Sequence, residues 1–203
     1  MTRAVLASAN PGKLREFAAL LAPFAVQLVP QAQLGIRPAA ETGTTFLENA
    51  LIKAHHAARH AHLPALADDS GLEVEALGGR PGVWSARFAG AAASDEENLR
   101  HLLAELHDVP DEFRQARYQC VIVFVRSVGD QTPLIARGTW PGNIAHTPRG
   151  QGGFGYDPVF VPAGERRSAA ELAGEEKNAV SHRGQALRAL VAMLESQGYI
   201  RTL

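Results

Sequence analysis

The stretch SANPGK at residues 8–13 carries the first side chains that could do chemistry, because it lies where an apolar run gives way to a helical pattern. Asn10 and Pro11 are typical of a helix N-cap and a first helical residue, and that structural role alone would explain them. The amides of a helix N-terminus also favour anions, and Gly12 lets a ligand approach the backbone closely. The stretch therefore predicts either an ordinary helix start or a phosphate-binding loop.

This stretch is not a P-loop, because Ala7 stands where that motif has its first glycine and Leu14 replaces the hydroxyl residue that binds the metal. Any metal ion must then be held elsewhere. DDSG at residues 68–71 follows a buried apolar run, and Glu41 precedes a predicted helix. Mg²⁺ prefers one or two carboxylates with water and phosphate oxygens. Asp69 and Glu41 thus form a candidate magnesium site, while a simple turn is the structural alternative for DDSG.

Two further segments offer groups for binding a nucleotide. Lys53 shares a helix face with Asn49, four residues before it, and is either a second phosphate-binding group or a solvated surface lysine. In GGFGYDP at residues 152–158, Phe154 offers a face for stacking a base and Asp157 can accept hydrogen bonds from a ring N–H. The structural alternative is a glycine-rich turn with Phe154 buried.

Lys177 and the SHRG run at residues 181–184 place three possible cations close to the start of a predicted helix. Positive charge at a helix N-terminus opposes the helix dipole and costs stability. A bound anion would remove this conflict, so the segment indicates a binding site.

Composition limits the classes of partner. The chain has 203 residues, with 20 basic and 21 acidic side chains, so it lacks the basic surface typical of proteins that bind nucleic acid nonspecifically. No stretch approaches the roughly 20 apolar residues that span a bilayer, and the first apolar run is too short for a signal peptide. The single cysteine, Cys120, lies in a strand-like run and reads as a buried thiol. We predict a cytoplasmic protein with no nucleic-acid or membrane partner.

Alternating strand and helix patterns must position these side chains. Apolar runs predict strands at 4–7, 25–30, 64–67 and 117–126, and LEVEAL at 72–77 continues after DDSG with the strand period of two. A second arm at 134–144 is predicted to form an antiparallel hairpin with the strand at 117–126. Helices are predicted from residue 11 to about Pro23, from the Thr45–Glu48 capping box to about His60, from the Ser94–Glu97 capping box, and from Ser168 and Ser181. Together, the predicted strands and helices indicate an α/β fold with a mixed central sheet flanked by helices.

Five motifs, in this order, resemble those of the Ham1/RdgB-type nucleoside triphosphate pyrophosphatases, which hydrolyse ITP, dITP and XTP. They are SANPGK, ETGTTFLENALIKA, ADDSGLEVEALGG with PGVWSAR, GGFGYDP and SHRGQAL. The resemblance covers nearly the whole chain. It implies a single domain over residues 1–203 with an elongated two-lobed fold, an active site in the cleft between the lobes, Mg²⁺ as cofactor and a homodimer.

The resemblance also implies roles for individual residues. Asp69 is the implied catalytic carboxylate and a metal ligand, and Glu41 is the implied second ligand. The residues implied to bind the substrate are Ser8, Ala9, Asn10, Pro11, Gly12, Lys13, Lys53, Ser70, Phe154, Gly155, Tyr156, Asp157, Lys177, His182 and Arg183. This chain departs from many relatives at Ala9, where they have glycine, and from some at Ala40, where they have a second acidic residue.

The expected reaction is hydrolysis of a non-canonical purine nucleoside triphosphate to the monophosphate and pyrophosphate, which would clean the nucleotide pool. A hydrogen-bond donor such as His182 or Arg183 near the 6-oxo group would accept hypoxanthine and xanthine and leave adenine mispaired. Two alternatives remain open. One is a Maf-like pyrophosphatase acting on pyrimidine nucleoside triphosphates, and the other is a noncatalytic nucleotide-binding module, which would not need Asp69.

Overall fold

The computed structural model describes residues 2–24 and 26–201. Its strands are β1 (Thr2–Leu6), β2 (Val26–Pro30), β3 (Ala65–Val74), β4 (Gln115–Val125), β5 (Leu134–Ile144) and β6 (Phe160–Pro162). Its α-helices are α1 (Pro11–Leu21), α2 (Phe46–Ala61), α3 (Asp95–Glu105), α4 (Gly174–Val180) and α5 (His182–Ser196). Short 3₁₀ helices occupy Gln31–Leu34, Glu75–Leu77, Gly82–Arg87, Asp111–Phe113 and Ala169–Glu171.

The six strands form one sheet in the order β2-β1-β3-β4-β5-β6. β1 pairs in parallel with both β2 and β3, whereas β5 and β6 are antiparallel. The predicted fold class, an α/β fold with a mixed sheet flanked by helices, is therefore confirmed. Over the described ranges, no helix has both the length and the apolar character needed to cross a membrane.

The helix starts follow the local sequence signals. Thr45 and Glu48 form the predicted capping box of α2, and Ser94 and Glu97 form that of α3. Each box satisfies amides that the first helical turn leaves without helical partners. The predicted strand at 25–30 is confirmed from Val26 onward, while Ala25 lies outside the described residues.

The turn alternative for DDSG is wrong, because β3 runs without interruption from Ala65 to Val74. Aspartate is a poor strand residue, yet Asp68 and Asp69 are both buried here. Their ion pairs with distant lysine and arginine side chains compensate for this unfavourable local preference, as described below.

The chain divides into two compact units, each built from discontinuous segments. The first unit contains the segment up to Asp69, Cys120–Gly138, and the chain from Arg183 onward. The second unit contains Ser70–Gln119 and Thr139–His182. The single domain over residues 1–203 and the cleft between lobes stay predictions.

In the first unit, the strands have an apolar cluster on each face. Successive side chains of a strand point to opposite faces. Leu66 thus packs in a cluster with Phe17 of α1 and Leu187 of α5, whereas Ala67 packs in the cluster of α2. The buried apolar residues of α2 are four alanines, Ala50, Ala54, Ala57 and Ala58, and they pack in one cluster with apolar side chains of the strands. Cys120 is buried in the first cluster, as predicted.

In the second unit, the core combines leucines of α3 with aromatic side chains. Its members include Leu99, Leu102, Tyr118, Trp140, Tyr156 and Phe160. Arg114 is buried beside this core, and its guanidinium donates hydrogen bonds to the backbone carbonyls of Leu106, Val109, Ile144 and Ala145. The buried guanidinium therefore joins the segment that precedes β4 in the sequence to the segment at the end of β5.

Candidate active site

The SANPGK stretch forms the connection from β1 to α1, and the predicted helix start is confirmed. Asn10 is the N-cap, and its Oδ1 accepts a hydrogen bond from the Lys13 amide at 3.1 Å. Ser8 is buried, and its Oγ accepts a hydrogen bond from the Asn10 amide at 3.3 Å. Pro11 opens the helix and Gly12 is buried. The side chains of the loop thus hold it in one shape. The loop lies at the N-terminal end of α1, where backbone amides favour anions.

Asp68 lies at the centre of a buried ion network in the first unit. Its Oδ2 lies 2.9 Å from Lys13 Nζ and 3.3 Å from Arg183 Nε, and Arg183 also contacts Glu16 of α1. Burial alone would raise the pKa of Asp68, but attraction to Lys13 and Arg183 outweighs burial and holds that pKa well below its usual range. Asp68 is therefore a fixed counter-ion that joins α1, β3 and α5.

Asp69 points to the opposite side of β3 and meets different partners. Its Oδ1 lies 2.7 Å from Lys53 Nζ, which also lies 2.9 Å from Oε1 of Glu41. Burial raises the pKa of Asp69 above its usual value, although Lys53 opposes that shift. The two neighbouring aspartates thus have pKa values moved in opposite directions. A carboxylate with a raised pKa is the better proton acceptor, so Asp69 has the electrostatic character of a general base.

Asn49, which the sequence places on the helix face of Lys53 without a predicted role, also approaches Asp69. It is completely buried in the first turn of α2, and its Nδ2 lies 3.4 Å from Oδ2 of Asp69. The sequence signal was its spacing, because Asn49 lies four residues before Lys53 and directly follows the capping-box residue Glu48.

The second unit contains most of the residues predicted to bind the base, and Asp157 organises them. Asp157 is buried, and its Oδ2 accepts hydrogen bonds from the Phe154 amide at 2.9 Å and from Lys177 Nζ at 2.7 Å. The same ammonium lies 5.1 Å from the centroid of the Phe154 ring, a cation–π distance. One carboxylate thus bonds both the Phe154 backbone in the glycine-rich loop and the Lys177 ammonium of α4.

The neighbouring residues of this loop are also held. The Gly155 amide donates a hydrogen bond to Asp95 at the start of α3, at 2.8 Å. Tyr156 is buried and its hydroxyl donates to the Ser85 carbonyl at 2.7 Å. Burial raises the pKa of the Tyr156 hydroxyl, so this group stays protonated and acts as a donor. Ser70 follows Asp69 in β3 and is half-buried.

The adjacent residues His182 and Arg183 contact residues of different units. The His182 ring is buried and stacks on Tyr118, with 4.6 Å between ring centroids and an interplanar angle of 7°. Arg183, by contrast, directs its guanidinium to Asp68 and Glu16 in the first unit. His182 therefore remains with the predicted base-binding residues, whereas Arg183 belongs to the ion network described above.

A model of the Ham1 family matches residues 4–193 of this chain. The chain belongs to the Ham1 family. Among its Ham1 relatives, the dITP/XTP pyrophosphatase of Yersinia pseudotuberculosis is 57% identical over 194 residues, covering 96% of this chain and 98% of the relative. The dITP/XTP pyrophosphatase of Escherichia coli strain K12 is 54% identical over 196 residues, covering 97% and 100%.

Solved Ham1 structures share the fold. The HAM1 protein from Coxiella burnetii superposes with a TM-score of 0.89 at 48% identity, covering 97% of this chain and all of that chain. The Ham1 protein of Staphylococcus aureus has a TM-score of 0.85 at 38% identity, with the same coverage. The mixed sheet and its flanking helices are therefore those of the Ham1 fold.

The Ham1 resemblance implies a divalent metal ion, and the acidic side chains of the first unit fit one. Within the described ranges, no group of three or more histidine, cysteine, aspartate or glutamate side chains is arranged to hold a metal. Magnesium needs fewer protein ligands, because it takes one or two carboxylates and completes its shell with water and phosphate oxygens. Asp69 and Glu41 both lie within 2.9 Å of Lys53 Nζ, so the two carboxylates are close enough to share a cation and provide that number of ligands.

Gly153 controls the geometry of the Asp157 carboxylate. Gly153 has a φ of +72°, and a Cβ placed there would lie 2.0 Å from Asp157 Oδ2. The Gly153→Ala variant is expected to displace that carboxylate from Lys177 and Phe154. Losing a charge-assisted hydrogen bond of about 1.5–3 kcal/mol corresponds to a rise in KM for ITP of roughly tenfold or more, measured by steady-state kinetics.

Gly164 provides the matched control, because it has a φ of +83° with open space around its Cβ position. Gly164→Ala introduces the same kind of backbone strain without a clash, so it should lower the melting temperature slightly and leave KM unchanged. Equal values of KM in both variants would show that the Asp157 geometry does not affect substrate binding.

Proposed function

We propose that this chain hydrolyses the non-canonical purine nucleoside triphosphates ITP, dITP and XTP to the monophosphate and pyrophosphate. The observation that carries the proposal is the position of Asp69, a buried carboxylate that meets Glu41 across Lys53 Nζ. Relatives named dITP/XTP pyrophosphatase, which match this chain over nearly its full length, support the substrate class. They favour it over a Maf-like pyrophosphatase or a noncatalytic binding module.

In this proposal, residues 8–13 and the two lysines of the first unit bind the triphosphate. The backbone at the start of α1 favours anions, while Asp68 holds the ammonium of Lys13 and Asp69 holds that of Lys53. Burial would lower the pKa of Lys53, but attraction to the surrounding carboxylates raises it, so this ammonium stays charged near neutral pH. Because these positive charges are already in position, the lysine side chains do not have to reorganise around the triphosphate during the reaction.

Asp69 orients the attacking water and accepts its proton as the water attacks the α-phosphorus. Its raised pKa and its burial suit this role. Asp69 and Glu41 would hold Mg²⁺, which supplies neutralisation of charge on the phosphate oxygens when it is bound. Lys13 and Lys53 bind the phosphates that leave as pyrophosphate.

The second unit selects the base. The ring of Phe154 stacks on the purine, and His182 donates a hydrogen bond to its 6-oxo group. Hypoxanthine and xanthine carry that acceptor, whereas adenine has an amino group there and leaves the donor unpaired. Arg183 pairs with Asp68 and Glu16, and this geometry favours a role in the ion network over a contact with the base.

We further propose that the chain acts as a homodimer in the cytoplasm, with a free nucleotide rather than a nucleic acid as its partner. The near-zero net charge and the relatives named dITP/XTP pyrophosphatase support a free nucleotide as the partner, whereas the homodimer and the compartment rest on the family resemblance alone. Light scattering coupled to size-exclusion chromatography gives the mass of the particle, and the mass of a single chain at assay concentrations would exclude the dimer.

The decisive experiment incubates the purified protein with Mg²⁺ and separately with ITP, dITP, XTP, GTP, ATP and TTP, and quantifies pyrophosphate and orthophosphate. We expect pyrophosphate from ITP, dITP and XTP, and little product from ATP or GTP. Turnover of TTP in preference to ITP would support the Maf-like alternative. Binding of ITP without any product would support the noncatalytic module, and orthophosphate as the first product would contradict attack at the α-phosphorus.

A further inference from the structure

The side chain of Asn49 connects two parts of the catalytic apparatus that come from different segments. Its Oδ1 accepts a hydrogen bond from the Gly43 amide at 2.8 Å, and its Nδ2 faces Asp69 Oδ2 at 3.4 Å. Gly43 lies two residues after Glu41, in the loop that precedes α2. One amide group therefore holds the loop that carries Glu41 and the strand that carries Asp69.

The chemistry of the partners determines how this amide is oriented. The Gly43 N–H is a donor and must meet Oδ1, while an ionised Asp69 is an acceptor and must meet Nδ2. The opposite orientation would place two donors together at Gly43 and two acceptors together at Asp69. The loop also approaches closely, because a Cβ on Gly43 would lie 2.8 Å from Asn49 Oδ1 and 2.6 Å from Glu48 Cβ.

We propose that Asn49 is a positioning residue for the catalytic carboxylate, an inference that rests on the proposed function of Asp69. Asn49 holds Oδ2 of Asp69 while Lys53 holds Oδ1 at 2.7 Å, so the two donors together fix the rotation of the carboxylate. The 3.4 Å distance is long for a hydrogen bond, and such contacts often shorten when substrate binds.

Asn98 is a structural counterpart in the same protein. It follows the capping-box residue Glu97 of α3 just as Asn49 follows Glu48 of α2, and it is also buried. Its Oδ1 accepts from the Ala89 amide at 2.8 Å, and its Nδ2 donates to the Ala86 carbonyl at 3.2 Å. Asn98 thus bonds the backbone at both ends of its amide, whereas Asn49 bonds the backbone at one end and Asp69 at the other.

This pair allows a matched experiment. We would measure kcat and KM for ITP, and the urea midpoint of unfolding, in Asn49→Ala, Asn49→Asp, Asn98→Ala and Asn98→Asp. Asn49→Asp keeps the acceptor for Gly43 but places a second carboxylate against Asp69. A misplaced catalytic group costs on the order of 10²-fold in rate. Both Asn49 variants should lose about that factor in kcat with little change in KM, whereas both Asn98 variants should keep kcat despite a comparable loss of stability.

Equal values of kcat in Asn49→Ala and Asn98→Ala, measured where both are fully folded, would overturn the proposal. A second measurement needs no turnover: a double-mutant cycle of Asn49→Ala with Asp69→Ala on the urea midpoint. Non-additive midpoints support the coupling of the two side chains, and strictly additive midpoints overturn it. A wild-type protein that fails to cleave ITP would refute the proposed function, and the cycle would still decide whether Asn49 holds Asp69.

Discussion

The Asp69→Asn variant is expected to lose roughly 10³-fold in kcat for ITP while keeping its fold. General acid–base catalysis contributes about 10²–10⁴-fold, and an amide cannot accept the proton of the attacking water. The amide also has a single acceptor oxygen, whereas Asp69 presents two oxygens to the donors Lys53 and Asn49. Steady-state kinetics at saturating Mg²⁺ and circular dichroism would measure the two parts of the prediction.

The control for this variant is Glu73→Gln, the same change of carboxylate to amide four residues later in β3. Glu73 bonds Arg117 and Gln119 and is half-buried. Its variant should keep kcat within about twofold, since surface ion pairs contribute little. An Asp69→Asn protein that cleaves ITP at the wild-type rate would remove Asp69 from the mechanism.

The second large effect concerns stability and the neighbouring Asp68. The Asp68→Asn variant is expected to lower the free energy of unfolding by about 3–5 kcal/mol, because it leaves Lys13 and the buried Arg183 without their shared carboxylate. Urea denaturation at pH 7 would measure this loss. Asp111→Asn removes the carboxylate of an exposed pair with His146, and it should leave the urea midpoint unchanged.

The stability that Asp68 contributes to the folded protein decreases in acidic solution. The folded protein holds the pKa of Asp68 below its unfolded value of about 3.9, so the carboxylate contributes stability above that pH. The contribution is lost as the pH falls below about 4. The difference in unfolding free energy between the wild type and Asp68→Asn should therefore be constant from pH 5 to pH 7 and shrink in more acidic solution. A difference that grows on acidification would contradict the assigned ion pairs.

The sequence predicted those parts of the fold that depend on neighbouring residues. The capping boxes at Thr45 and Ser94 and the N-cap at Asn10 form where expected, because each needs only a side chain within three residues of an amide. Helix α4 was not predicted, since its seven residues are too few to show a periodic pattern.

The parts that could not be predicted depend on contacts between distant segments. The continuation of β3 through Asp68 requires a lysine from α1 and an arginine from α5, and no local preference indicates them. The separation of His182 from Arg183 has the same origin, because the stacking on Tyr118 and the pairing with Asp68 are both long-range. The sequence alone therefore predicted a binding role for His182 and Arg183 without assigning their partners.

The discontinuity of the two units has a consequence for synthesis on the ribosome. The second unit is complete in sequence once His182 has been made, but the first unit still lacks α5 at that stage. Helix α5 contributes Leu187, Leu190 and Leu194 to the cluster that covers β1 and α1. A chain that grows from its N-terminus thus begins the first unit early and completes it last. Until α5 emerges, the apolar side chains of β1 and α1 have no cover from this helix, which leaves an apolar surface on the nascent chain that favours aggregation.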